Sequence, residues 1–536
     1  MSDDIPIELS KINVILKLFN KELISGSLCI SKHHLMIMDL TKCQNDIIIQ
    51  HKSIDAIKFL NDITLEIKSK DFKVYQLEAN SKDILLLNSS LIRASNEERV
   101  SELFPFIYKP DFKIIENGWT AFLLREEFTE ILMSGLWGLF PANECSSYDN
   151  SVIVPIAASD EDIKESARLH VNNRFPVLAF YYKPSQSSLL RCSQYVPNMD
   201  RMPSSDPLIR LLTLSHSFID IRSKQLMKNN HMEARILKNG VFYLDKLETL
   251  QSSFQKFIET FQDTTLSFDR YISKLENSQW LDRVRQMLFV SRFVAHALVS
   301  QSSNYIVVGD TGFDFELIIT SLVQVILHSD ARTIRGFEAL VDREWIQGGH
   351  PFYDRCKHQI VTSKAINPNP TNEIESPVFL LFLDCVWQIL QFNPTSFEFN
   401  ELFLICLAHN CYFSEFGTFI GNNAQHREEH KIPSETTSLW SYINQNENLH
   451  KFYNCLYAPS GIESRNYICW PPVLPQNIDI WHELYSGQPV SSIELKRKMH
   501  NDTINEYKTC KNLNLKLRKL VENLEKELSL SNGVNE

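Results

Sequence analysis

This chain lacks paired cysteines, an excess of basic residues and any apolar run long enough to span a bilayer. Its eleven cysteines are scattered from Cys29 to Cys510, and none stands in a C-x-x-C pair. That scatter argues against a zinc ribbon or a disulfide frame; it predicts reduced thiols and a cytoplasmic protein. Lys and Arg number 54 against 65 Asp and Glu, a net charge of −11. Binding nucleic acid without sequence preference needs the opposite balance, although a local basic patch for an anionic membrane stays open. The most apolar run, PVFLLFLDCVWQIL at 377–390, is short and carries Asp384, so it reads as a buried helix. MSDDIPIELS, at the start, is acidic and polar and predicts no secretory signal.

What is present reads as a chain of several domains. It has 536 residues, of which 43% are hydrophobic and 22% charged, too long for one core and too apolar to be disordered. Residues 1–108 alternate as β-strands do: SGSLCISKHHLMIMDL (25–40), then ITLEIKSKDFKVYQLEA (63–79) with a polar turn at Lys68–Asp71. DILLLNSSLIRASNEERVSELF (83–104) reads as a helix closing a small barrel. His33 and His34 are expected on opposite strand faces, one packed and one solvated, rather than as metal ligands. IYKPDFKII (107–115) reads as a linker, with Pro110 its hinge. From 112 to 485 the pattern is α/β. RFPVLAFYYK and SSLLRCSQ form a β-hairpin, followed by long helices, among them 273–298 with Trp280, Val284, Met287 and Leu288 on one face.

Residues 491–530 contain neither Pro nor Gly. Cys510, Leu513, Leu517, Leu520 and Leu524 follow a/d spacing before the pattern slips to Leu528. This predicts a charged C-terminal coiled coil rather than a helix packed on the domain. Glu522 and Lys526 add an i,i+4 pair of about 0.3 kcal/mol.

The segment IVVGDTGFDFELIITSL (306–322) carries the chemistry, or its loss. An apolar strand runs into a loop bearing Gly309 and Gly312, then into a helix. Strand, glycine-bearing loop and helix N-terminus together converge backbone N–H groups on one point, as anion sites do. Yet Gly309 offers no nucleophile, and Asp310, Asp314 and Glu316 repel a phosphate. Those acids are expected to be solvated rather than to hold a cation.

The surrounding blocks resemble the myotubularin family of phosphoinositide 3-phosphatases. They are TSLVQVILHSDARTIRGFEALVDREWIQGGHPFYDRC (320–356), RFPVL…RCSQ (174–194), KLENSQWL (274–281), PVFLLFLDCVWQILQFNPTSFEFNELF (377–403) and FGTFIGNN (416–423). GSLCISKHHLMIMD and KDFKVYQLE resemble that family's PH-GRAM domain. The resemblance implies a PH-GRAM domain over 1–108, a cysteine-phosphatase-type α/β domain over 112–485 and a coiled coil over 491–530. It also implies a catalytic loop of sequence H-C-S-D-G-W-D-R-T. Counting back from Thr320 places Gly309 at the cysteine and Phe315 at the arginine; Asp310, Thr311 and Phe313 replace its serine, first aspartate and tryptophan, Glu316 its threonine, and only Gly312 and Asp314 are unchanged. The thiolate attacks phosphorus and the guanidinium forks onto the equatorial oxygens; glycine and phenylalanine do neither. No cysteine elsewhere has an arginine six positions on. After FIDIRS (218–223) this chain has a segment with one glycine, Gly240, where active relatives have a longer, glycine-rich one.

By this resemblance the chain is a degenerate member, not an enzyme, and needs no cofactor. The implied partners are active myotubularin phosphatases in a heterodimer, the chain itself, and membranes carrying phosphatidylinositol 3-phosphate or the 3,5-bisphosphate in endocytic or autophagic traffic. Nucleic acid is not among them. The implied location is cytoplasmic, with peripheral attachment to endomembranes. A second reading is a phosphoinositide-binding adaptor that acts without an active partner.

Overall fold

A computed structural model describes residues 7–18, 23–39, 47–95, 99–196, 206–212, 216–223, 240–263, 266–301, 304–356, 375–458 and 467–486. All of these lie in the first of the chain's two units, residues 1–486. The coiled-coil candidates Cys510, Leu513, Leu517, Leu520, Leu524 and Leu528 fall outside the described residues.

The N-terminal lobe is an antiparallel sheet of seven strands. They are β1 (Ile7–Leu18), β2 (Leu23–Ser31), β3 (His34–Asp39), β4 (Ile47–Gln50), β5 (Ile54–Asn61), β6 (Thr64–Ser69) and β7 (Val74–Glu78). Their order is β4-β3-β2-β1-β7-β6-β5. Alternation turns Leu28, Ile30, Leu35, Ile37, Leu65, Ile67 and Leu77 inward against Ile84, Leu87 and Leu91 of helix α1 (Ser81–Ser95). A sheet closed by one helix is the PH-like arrangement expected from the sequence.

Two local expectations need correcting. The closing helix ends at Ser95, not 104; Val100–Glu102 and Phe104–Phe106 are separate single turns, with Pro105 inside the second. His33 and His34 do not sit on opposite faces. His33 lies in the turn before β3, outside the strand's alternation, and both rings pack on Phe104, with centroids 5.6 and 4.4 Å away. Burial lowers both to about 4.

The second lobe begins with a hairpin, β8 (Trp137–Pro141) and β9 (Ser151–Pro155). Its main sheet contains β10 (Val177–Tyr182), β11 (Ser187–Ser193), β12 (His216–Asp220), β13 (Gly240–Val241) and β14 (Asn304–Gly309), in the order β10-β11-β14-β12-β13. β10 and β11 are the antiparallel hairpin read from sequence; the other pairings are parallel. The register pairs Ser193 with Gly309 and Asp220 with Val308, so three strands end together. The outside of the carboxyl ends of parallel strands is where open α/β sheets bind ligands.

Helices pack around this sheet. Trp280, Val284, Met287 and Leu288 are all buried, as their spacing predicts. The stretch 273–298 is nevertheless two helices, Phe268–Ser278 and Trp280–Gln301, because Gln279 adopts φ 61°. The apolar run forms the buried helix Val378–Phe392. Within it Asp384 accepts hydrogen bonds from Trp280 Nε1 (3.0 Å), Tyr485 Oη (2.8 Å) and Gln388 Nε2 (3.1 Å). Among the described residues, no helix is long and apolar enough to cross a membrane.

Phe72 ties the N-terminal lobe into the core of the second lobe. Phe72, in the β6–β7 turn at φ 65°, packs with Phe254 and Tyr485, each 5.7 Å between centroids. Lys68 Nζ donates to Gln262 Oε1 at 2.8 Å beside it. A β-turn residue held at positive φ to bury its ring makes Phe72 the joint between lobes. Phe72→Ala is expected to lower unfolding stability by about 3 kcal/mol, read as a fall in the urea midpoint.

Candidate functional site

The loop between β14 and the helix Phe315–Leu327 lies at the carboxyl edge of the sheet. It is anchored on both sides. Gln194 N–H donates to Gly309 O at 2.7 Å, Ile221 N–H to Val308 O at 2.9 Å, and Ser223 N–H to the Asp310 carboxylate at 3.1 Å. Gly312 takes φ 83°, a conformation open to glycine, and a Cβ there would press on Arg174 and Ser193.

Glu316 occupies the loop. Its side chain turns back from the first helical turn: Oε1 accepts from Gly312 N–H at 2.9 Å and Oε2 from Asp314 N–H at 3.2 Å. The residue is 1% exposed. A Cβ on Gly309 would overlap the Glu316 carboxyl. A side chain at position 309 and Glu316 in its present place therefore exclude each other. Burial, first, raises the Glu316 carboxyl from 4.5 to about 7, helped by Asp314 and Asp310 and opposed by the backbone N–H groups of Glu316 and Gly312.

The expectation of solvated loop acids fails for the same reason. Asp314 and Glu316 are both buried, and Asp310 is half-buried. Arg355 binds Asp314 with two hydrogen bonds, Nε to Oδ1 at 2.9 Å and Nη2 to Oδ2 at 3.0 Å. Burial opposes ionisation of Asp314, but this guanidinium holds its carboxyl below the usual range. Burial raises Asp310, against the Ser223 hydrogen bonds. Thr311 Oγ1 donates to Asp314 Oδ2 at 3.0 Å, closing the turn. No cluster of three or more metal-ligating side chains occurs among the described residues.

Two buried arginines surround the loop, and both serve acceptors of the protein. Arg174, fully buried, donates to Gly312 O (Nη2, 2.5 Å; Nε, 3.1 Å), Gly348 O (Nη2, 2.8 Å) and Ser147. The Phe313 ring lies beneath both guanidiniums, 5.6 Å from that of Arg174 and 5.8 Å from that of Arg355. His350 Nδ1–H donates to Phe313 O at 2.9 Å, and burial lowers this ring to about 4, leaving it neutral. Phe315 is half-buried against the main core, so its ring packs at the core's edge rather than wholly inside.

The nearby thiol is inert. Cys192 pairs with Val308 in the β11–β14 ladder and is buried; burial, Asp206 and Glu316 push it well above its ordinary value. A thiol kept protonated is no nucleophile. The sequence-predicted residues Gly309, Asp310, Thr311, Gly312, Phe313, Asp314 and Phe315 thus form one contiguous loop. The roles of Arg174 and Arg355 are not legible in the sequence, although both stand in blocks shared with the family, RFPVL and YDRC.

Residues 103–428 match the myotubularin-like phosphatase domain. The chain belongs to the myotubularin family. It is 35% identical to myotubularin-related protein 9 of Bos taurus, over 96% of this chain and 95% of that protein. Myotubularin-related protein 9 of Caenorhabditis elegans is 31% identical over 86% of each chain. The phosphatidylinositol-3,5-bisphosphate 3-phosphatase MTMR6 of Homo sapiens is 28% identical, over 87% of this chain and 77% of its own. This myotubularin is thus similar both to a protein named only by family and to one named for its reaction.

The raised Glu316 value fixes a pH dependence. Between 4.5 and about 7 the folded chain keeps a proton that the unfolded chain has lost. Stability from this group therefore falls as pH rises through that window. Glu316→Gln removes the fall: the variant's stability relative to wild type should rise by about 2 kcal/mol from pH 5 to pH 8. Urea unfolding at the two pH values measures it, and an unchanged difference would contradict the assignment.

Proposed function

We propose that this myotubularin does not hydrolyse phosphoinositides and acts as the regulatory subunit of an active family member. It raises that subunit's activity or stability and brings it to membranes carrying phosphatidylinositol 3-phosphate or the 3,5-bisphosphate. The observation that carries the reading is the filled loop: the Glu316 carboxyl takes the Gly312 and Asp314 amides. The positions of the family's thiolate and guanidinium are Gly309 and Phe315. Losing one such group costs several kcal/mol of transition-state stabilisation, and here both are gone.

A fold retained without its reaction is best explained by binding. A partner that recognises only the folded active subunit stabilises it by mass action. The contact is assigned to the C-terminal segment, where Cys510, Leu513, Leu517, Leu520, Leu524 and Leu528 offer an apolar seam. Self-association through the same seam competes with the heterodimer. The alternative, a lipid-binding adaptor working alone, has less support, since residues 1–108 carry no dense Lys/Arg cluster.

Co-purification with an active myotubularin, with and without residues 491–536, tests the pairing. Association is expected for the full chain and lost on deletion; failure of both chains to associate removes the proposal. The purified chain alone should release no phosphate from a water-soluble 3-phosphoinositide, and turnover abolished by substitution within 309–316 would overturn the non-catalytic reading.

A further inference from the structure

Gly309, the loop amides and Glu316 form a matched set. The Gly312 and Asp314 N–H groups point at the Glu316 carboxyl, whose own N–H also favours its charged form. The buried arginines donate elsewhere, Arg174 to Gly312 O, Gly348 O and Ser147 and Arg355 to Asp314. The carboxyl also lies where any Cβ at position 309 would go. A buried carboxyl whose two oxygens accept from backbone amides at the mouth of a helix takes the hydrogen-bonding positions of a bound oxyanion.

We propose that the Glu316 carboxyl is an internal stand-in for an oxyanion, an autoinhibitory contact that closes this loop to phosphate. The loop remains built because its amides are satisfied from within the chain. Buried N–H groups without acceptors are costly, so a myotubularin without bound phosphate gains from a permanent acceptor. Gly309 is the condition for this: with no side chain there, the carboxyl reaches the amides. The inference rests on the non-catalytic reading of the same loop but fails separately from it. Hydrolysis by the wild-type chain would sink that reading; phosphate binding without hydrolysis would sink only this one.

The test uses the full chain, with inorganic phosphate and a soluble inositol 3-phosphate headgroup as separate probes and sulfate-free buffer. Thermal unfolding and titration calorimetry are run on wild type, Glu316→Ala and Glu316→Thr, each checked for cooperative unfolding. The variants should show a saturable rise in Tm with at least one probe, and bind it about tenfold or more tightly than wild type. Whichever probe gives the response shows whether the opened loop takes phosphate as such or needs the inositol ring. A purely structural role for Glu316 lowers Tm without creating a phosphate response. Folded variants that respond to neither probe overturn the proposal. So does saturable binding of either probe by the wild-type chain itself, an outcome that needs no variant to fold.

Discussion

The carboxyl of Glu316 on the amides of its own loop is the contact around which the rest of the site is arranged. It requires a strand that ends at Gly309 without a side chain, a turn at Gly312 with positive φ, and a helix starting at Phe315 so that the second helical residue can reach back. The two guanidiniums then do different work. Arg174 holds the outside of the turn through Gly312 O, and Arg355 neutralises Asp314. Three acids in one short loop are tolerated because each has its own donors: Ser223 N–H for Asp310, Arg355 for Asp314, loop amides for Glu316.

The PH-like lobe and the α/β lobe depend on this arrangement unequally. The sheet of β10–β14 and its helices fix where β14 ends and therefore where the loop begins. The PH-like sheet reaches the second lobe through the Phe72 turn and the Lys68–Gln262 and Gln50–Ser414 hydrogen bonds. The similarity to the family extends over both lobes.

Much of this was legible in the sequence. Alternation located the β2–β3 and β6–β7 segments, four buried residues of Trp280–Gln301 followed from helical spacing, and an aspartate within an apolar run marked a buried helix instead of a span. The loop's boundaries were readable from two glycines and the blocks around them. What was not readable was long-range. Charge composition suggests that loop acids are solvated, and only the fold reveals Arg355 beside Asp314. Helical periodicity runs unbroken through Gln279, but that residue adopts a left-handed conformation and splits the helix. His33 and His34 obey strand alternation only if both lie in the strand, and one does not.

The ring of Phe72 has a mechanical implication. Because it is seated against Phe254 and Tyr485 of the other lobe, a displacement of the N-terminal sheet is transmitted into the α/β interior.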